Sequence, residues 1–598
     1  MKKKIFALLL AVLMLVPFIV ACGGGPDTDT NTSTNKPPVN TETETESDTG
    51  TATDSSTGTA TDTETATGTS TETADGTSTD TSTSTSTETS TSTSTETSTS
   101  TTTETETSTG STSTEKVSTK DNPSKKWDGK TLDVLGNLWY GTTSPEEAGA
   151  WSQPEFYVNG YLNTTSYGQT INDAVWARQE YIQSAYGVTV KWHASKSQGV
   201  MQNELQSGLE AGYDKFHIAL PRMFEAQSLI SADTVYDLAN SKYIDLSASY
   251  YNQSSVESFS VYGHTFFVAG DFSFVDDETA FVIFYNQAIS ESIKTFPNLY
   301  KKVDNGTWTI SELAKWSKLI GKDDNGETGY QDTDTYGFGS TQLSSFFQSS
   351  GIQQVSTKTV AGTDYKEYYI SLNDNNAAVT SLLTQLVEIK SSTWARTAWD
   401  GGYVALGTSF TSGKLLFYHE VVQKFGGFPA QTENFKVGVL PMPKLSEDQE
   451  SYYSPLASQT TVMCIPKCTL DREMSEYFFD VLSWTVQEYV MAAYYENLET
   501  KLYEAVDEEN NPVLDADGYT TRENSLRMLT DYIFPGMCYD QGYMYEAMGQ
   551  KFMTSNVQDA AVGGSAFMQL YMEAYSDANK KLNDAKTGWN TYAKNYKD

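Results

Sequence analysis

Cysteine, histidine and basic side chains are all scarce in this 598-residue chain. The four cysteines, Cys22, Cys464, Cys468 and Cys538, are too few for a disulfide framework at this length. Cys464-Ile465-Pro466-Lys467-Cys468 lacks the Cys-x-x-Cys spacing of a thioredoxin-type pair, which leaves one disulfide or three small buried thiols after Cys22. His193, His217, His264 and His419 are scattered, with no paired spacing of metal ligands. Lys and Arg number 40 against 77 Asp and Glu, a formal net charge of −37. The clustered positive face that nucleic acid requires is therefore missing, and direct adhesion to anionic lipid is disfavoured. There is no G-x-S-x-G elbow, no H-E-x-x-H and no phosphate-binding glycine loop. Asp323-Asp324-Asn325-Gly326-Glu327 fails the calcium-loop spacing, and Asp515-Ala516-Asp517-Gly518 reads as a hairpin turn. The expectation is no metal, no cofactor and no catalysed reaction.

One long apolar run is present, Ile5 to Val20, behind Lys2, Lys3 and Lys4. A basic start, a short apolar core and a small-residue end make an export signal. Its sixteen positions fall short of the roughly 20 that span a bilayer. Ile19-Val20-Ala21-Cys22 resembles the bacterial lipobox, which implies cleavage before Cys22 and a lipid on its sulfur. A plain secretory peptide or a buried anchor helix is the competing account.

Residues 23–120 follow as a Thr/Ser/Glu-rich tether. From Pro26 to Ser118 almost no large apolar residue occurs, so too little surface could be buried to offset chain entropy. Thr81–Glu88 recurs unchanged as Thr89–Glu96. Repelling carboxylates and β-branched Thr favour an extended coil with a root-mean-square span of roughly 50–60 Å. It reads as a stalk, a candidate for O-glycosylation. Its share of the charge is about −14, so the remainder of the chain is acidic too, as suits solubility outside a cell.

The remaining residues are rich in Tyr, Trp and Phe and too many for one core, which predicts two lobes. Strand, helix, strand, helix, strand alternate over Thr131–Leu135, Ile171–Ala185, Val188–Trp192, Val200–Ala211 and Phe216–Leu220, an α/β pattern. Thr170 and Asp173 read as a helix start. Ala280–Tyr285 reads as a strand and Leu415–Tyr418 as a buried strand, and Val437–Leu440 precedes the Pro-rich Pro441-Met442-Pro443. Thr309 and Glu312 form a capping-box pattern opening a helix to Ile320. Helices are predicted at Asn376–Lys390 and Asp471–Tyr495, and one or two over Phe567–Tyr596.

Several stretches together resemble the family 1 extracellular solute-binding proteins of carbohydrate ABC importers. They are Asn172-Asp173-Ala174-Val175 with Arg178, Tyr186-Gly187-Val188, Gly306-Thr307-Trp308-Thr309 with Glu312-Leu313, Tyr336-Gly337-Phe338, Phe410–Lys414 and Gly438–Pro443. Tyr494-Tyr495-Glu496, Arg522, Ser525, Met528-Leu529 and Tyr539-Asp540 with Gly542 resemble the C-terminal part of one clostridial branch. The order of these pieces carries the resemblance. The long tether and the hairpin Asp507–Tyr519 depart from it.

The resemblance implies an α/β, two-lobed periplasmic-binding-protein-like fold of type II, with ligand between the lobes. The expected division is 1–22 signal peptide, 23–120 tether, 121–270 with 410–455 as lobe 1, and 271–409 with 456–598 as lobe 2, crossing near Asp271, Ser409 and Pro455. It implies a trap for a carbohydrate ligand, working as a monomer with ABC permease subunits on the outer face of the membrane, held there through Cys22.

Sugar binding needs flat apolar faces for C–H edges and a few polar groups for hydroxyls. Trp139 and Tyr140 follow the first strand, where α/β sheets present loops to ligands. Trp399 sits in an Asp-Gly-Gly context, Asp271 at a crossing, and His419 and Glu420 at the end of a buried strand. Phe346 and Gln459 complete the candidate ligand-binding set. Ordinary packing is the competing account for each, and Trp308, Trp316 and Trp484, at core-like helical spacing, are assigned to packing. A glycoside-active enzyme with two carboxylates and a surface glycan-binding adhesin are the alternatives.

Overall fold

The computed structural model describes residues 116–137, 168–195, 201–212, 215–327, 331, 333–371, 374, 376–397, 403–539 and 566–597. The signal-peptide and Cys22 readings, the tether up to residue 115, and Trp139, Tyr140 and Trp399 lie outside these residues. Residues 116–120, expected to close the tether, belong instead to the body: Thr119 is fully buried, donates to Asp480 at 2.6 Å and accepts from Trp484 Nε1 at 3.0 Å.

The first sheet is built from β1 (Thr131–Asn137), β2 (Thr189–Ser195) and β3 (Ile218–Ala219), in the order β2-β1-β3 and all parallel. Helix α1 (Gly168–Tyr186) joins β1 to β2, and α2 (Met201–Ala211) joins β2 to β3. Helix α1 begins before Thr170, so that residue is not its cap; Gln169 instead donates to Asp173 within the first turn, at 2.7 Å. The buried face of β1, Leu132 and Val134, packs with Ile182, Tyr186, Phe478 and Leu482, because alternate strand residues share one face.

After β3 come α3 (Ala226–Ser231), α4 (Gln253–Phe259), and the hairpin of β4 (Ser260–Val261) and β5 (His264–Thr265). Tyr262 and Gly263, both at positive φ, make its two-residue turn. Val268 then pairs antiparallel with Met463, and Ala219 with Cys464, so two later segments extend the first sheet.

The chain leaves this sheet through Asp271 and α5 (Val275–Thr279) and enters β6 (Phe281–Asn286) of the second sheet. Then follow α6 (Ile310–Ile320), β7 (Tyr336–Ser340), α7 (Ser345–Ser349), the antiparallel pair β8 (Val355–Thr359) and β9 (Lys366–Ile370), α8 (Asn376–Lys390), β10 (Ala395–Thr397), α9 (Tyr403–Thr411), β11 (Leu415–Val421) and β12 (Val437–Pro441). The second sheet has the order β10-β7-β11-β6-β12, with β6 antiparallel to its neighbours. Thr309 caps α6 by accepting from the Glu312 amide at 3.2 Å, but the Glu312 carboxylate does not return to Thr309. It accepts from Trp316 Nε1 at 2.7 Å, which ties the α6 indole to its own first turn. Trp308 is fully buried and donates to the Pro441 carbonyl at 2.9 Å; Trp316 and Trp484 are buried as well.

Placing 410–455 in the first lobe is corrected by the pairing. β11 lies between β7 and β6, and β12 lies on β6, so both strands belong to the second sheet. No crossing occurs at Ser409, which sits on α9 against β11. The chain returns through β13 (Ser454–Pro455) to Thr460–Cys464 beside the first sheet. Helix α10 (Arg472–Tyr489), capped by Asp471, packs on α1. One long helix was expected here; it breaks at Val490, and α11 (Met491–Glu499) leads to Tyr503, whose amide bonds the Val437 carbonyl of β12. Then come α12 (Thr521–Arg527), β14 (Met537–Cys538) and a single terminal helix, α13 (Ala566–Asn595). The thiols of Cys464, Cys468 and Cys538 are buried and joined by no disulfide among the described residues. Among the described residues no helix is long and apolar enough to cross a membrane.

Candidate functional site

Among the described residues, three stretches of chain pass between the sheets: Asp271–Ala280, Ser454–Met463 and Tyr489–Met491. Register fixes which edges they join. In the first sheet, Val268 runs alongside Met463, and Arg222, just beyond β3, bridges Thr461. The first two crossings therefore leave at the end where β1, β2 and β3 terminate. In the second sheet, Ser340 stands opposite Thr397 and His419, and Val421 opposite Phe281, the first residue of β6. The crossing enters where β7, β10 and β11 end. The C-terminal edges of both sheets thus adjoin the crossings, the edges at which α/β sheets hold ligands.

The crossings are bonded to one another. The Thr279 and Thr460 hydroxyls lie 2.6 Å apart, the Ala457 amide bonds the Thr279 carbonyl, and Ala280 bridges Leu456. Phe274 stacks on Tyr494 with centroids 4.7 Å apart and planes 13° from parallel. Gln487 donates to Asp271 at 2.6 Å. Tyr539 donates to Asp276 at 3.3 Å and Tyr495 to Asp277 at 3.4 Å.

Asp276 and Asp277 are buried, and loss of water pushes both carboxyls well above the ordinary carboxylate range. Neighbouring carboxylates add to this. Burial likewise pushes Asp271 up to about 6, against the opposing bond from Gln487. The junction between the sheets is a carboxyl cluster inclined to hold protons and to offer O–H donors as well as acceptors. A run of three acids, Asp276-Asp277-Glu278, marks it in the sequence, but such a run ordinarily reads as a solvated surface.

Of the residues chosen from sequence, Asp271 and Gln459 lie on the crossings. Gln459 accepts through its carbonyl from buried Arg222 at 3.2 Å. Arg222 is followed at the same edge by Glu225, whose carboxylate accepts from Asn137 Nδ2 at 2.8 Å and from the Arg222 amide at 3.0 Å. This polar group at the end of β1 and β3 was not singled out from sequence. Burial lowers the Arg222 guanidinium to about 10, with Glu225 opposing.

His419 and Phe346 are completely buried. His419 bonds the hydroxyls of Ser340 and Ser345, each at 2.9 Å, stacks on Phe281 and meets Phe346 edge-on. Desolvation lowers its imidazole to about 3. In this arrangement both residues brace the second-sheet edge and present no surface to a ligand. Glu420 is buried beside them, accepts from Tyr418 at 3.3 Å and from the Val421 amide at 3.0 Å, and is raised by burial. In the sequence, Trp139 follows the last residue of β1 by two positions and Trp399 follows the last residue of β10 by two. A groove of about 440 Å³ between α3 and α13, lined by Ile230, Ser231, Thr587 and Thr591, contains none of these residues. No group of side chains able to hold a metal ion occurs among the described residues.

No protein-family model matches the chain, and no curated protein does. Solved structures similar in fold include an ABC substrate-binding protein of Listeria monocytogenes in complex with cycloalternan. It shares 14% identity, with 76% of this chain and 100% of that chain covered and a TM-score of 0.44. The galacto-N-biose/lacto-N-biose I-binding protein of the ABC transporter of Bifidobacterium longum, in complex with lacto-N-biose, shares 12%, with 76% and 97% covered and a TM-score of 0.45. A Mycobacterium tuberculosis protein in complex with glycerophosphocholine shares 14%, with 70% and 97% covered and a TM-score of 0.44.

Proposed function

We propose that this chain is a stalked solute-binding lipoprotein that captures a sugar or oligosaccharide at the outer face of a bacterial cytoplasmic membrane and delivers it to an ABC importer permease. The observation that carries the reading is the convergence of three crossings on the C-terminal edges of two α/β sheets. A ligand touching both edges biases the balance between open and closed arrangements. Trp139 and Tyr140 on one edge and Trp399 on the other supply apolar faces for sugar rings. Asp271, Glu420 and Gln459 supply polar contacts or their positioning, and His419 and Phe346 support the second edge from behind. No bond of the ligand is broken. Cys22 anchors the trap, the tether sets its reach, and the body acts as a monomer.

The test is a glycan array followed by calorimetry on the secreted Cys22→Ser chain. Saturable binding of a defined sugar without turnover supports the reading. Binding of another solute class alone, or release of glycan products, defeats it. In intact cells, Cys22→Ser should move the protein from membrane to medium.

A further inference from the structure

The β8–β9 hairpin starts and ends in the second half of the body, between α7 and α8, yet it is bonded to the first half. The Tyr262 amide, in the turn between β4 and β5, donates to the Lys366 carbonyl at 2.8 Å. The Tyr368 hydroxyl donates to the Ser258 carbonyl at 2.9 Å. Lys366 pairs with Glu257 at 2.6 Å across exposed surface. On its other side the hairpin is clamped by α13. Asn590 accepts from the Tyr368 amide and donates to the Tyr368 carbonyl, both at 2.9 Å, imitating a neighbouring strand. Helix α13 is itself fixed to the first half, since the Tyr596 hydroxyl accepts from the Asp237 amide at 3.1 Å.

We propose that the β8–β9 hairpin is a latch, a second connection between the halves outside the three crossings, and that its release from the Tyr262 turn and α13 is required before the halves can separate. A two-sided clamp on a hairpin from the opposite half adds several hydrogen bonds that must break together, which makes the arrangement bistable. Asn590 is the natural point of control, because one side chain satisfies both backbone groups of Tyr368. The latch does not depend on which solute is bound and is tested without ligand.

The test uses the full chain carrying Cys22→Ser, with spin labels at Glu210→Cys on α2 and Glu388→Cys on α8, both exposed positions. Amide exchange at Tyr262 reports release of the hairpin, and the inter-label distance distribution reports separation. Asn590→Ala should accelerate Tyr262 exchange at least tenfold and broaden the distribution toward longer distances. Glu257→Lys, an exposed change that cannot disturb the core, should shift both in the same direction by less. Faster exchange with an unchanged distribution would show a passive appendage and overturn the proposal. So would unchanged exchange in folded Asn590→Ala.

Discussion

Gln487, near the end of α10, donates a hydrogen bond of 2.6 Å to Asp271, the residue at which the chain leaves the first sheet. The first crossing is thereby tied to α10, two residues ahead of the third, through a carboxyl that burial has pushed up to about 6.

Asp271 should make the protein less stable as pH rises. Its folded value lies above the ordinary 3.8, so ionisation favours the unfolded chain; the penalty is absent below 3.8 and complete once pH passes about 6. Asp271→Asn, which keeps an acceptor for Gln487, is expected to be more stable than the parent by about 2 kcal/mol at pH 7 and equal to it near pH 4. Urea denaturation at the two pH values measures this.

His419 should act in the opposite direction. Its neutral imidazole is held between two serine hydroxyls, with its pKa lowered from 6.5 to about 3, so the unfolded chain takes up the proton first. Stability attributable to this residue falls as pH drops from 6.5 toward 3, by up to about 1.4 kcal/mol per pH unit. The gap in unfolding free energy between the parent and His419→Gln should narrow steadily from pH 6.5 to pH 4. A constant gap would count against the buried neutral imidazole.

Phe274→Ala removes a buried ring from its stack on Tyr494, where the first crossing touches α11. A fully buried Phe truncated to Ala loses about 3–5 kcal/mol. Equilibrium denaturation should show that loss.

Trp139→Ala and Trp399→Ala should each weaken solute binding about tenfold or more, roughly 1.4 kcal/mol, with the melting temperature held within about 2 °C. Calorimetry and thermal melts on the same samples separate the two effects. A large fall in melting temperature would assign the indoles to packing.

Much of the architecture could be read from residue order. The α8 range, Asn376–Lys390, follows directly from helical periodicity, and the Thr309 cap, β1 and β6 fall close to their expected places. Strand partners could not be read in this way. Leu415–Tyr418 is apolar on both faces, so its sequence declares burial but not neighbours. Only register puts it between β7 and β6. The break at Val490 was equally hidden, because no Gly or Pro marks it and the helical pattern runs on through Tyr495. His419 and Glu420 stand at the end of a strand at the expected edge, but their depth depends on α7 packing over them.

Composition and pattern determined what could be decided locally: an acidic α/β body with few cysteines. These properties follow from propensities, spacing and charge carried by neighbouring residues. The tertiary structure alone decided which strands share a sheet, that Gln487 meets Asp271, and that a hairpin of one half is clamped by the other. Each is a contact between residues far apart in the chain, selected by burial and hydrogen-bond satisfaction over the whole body.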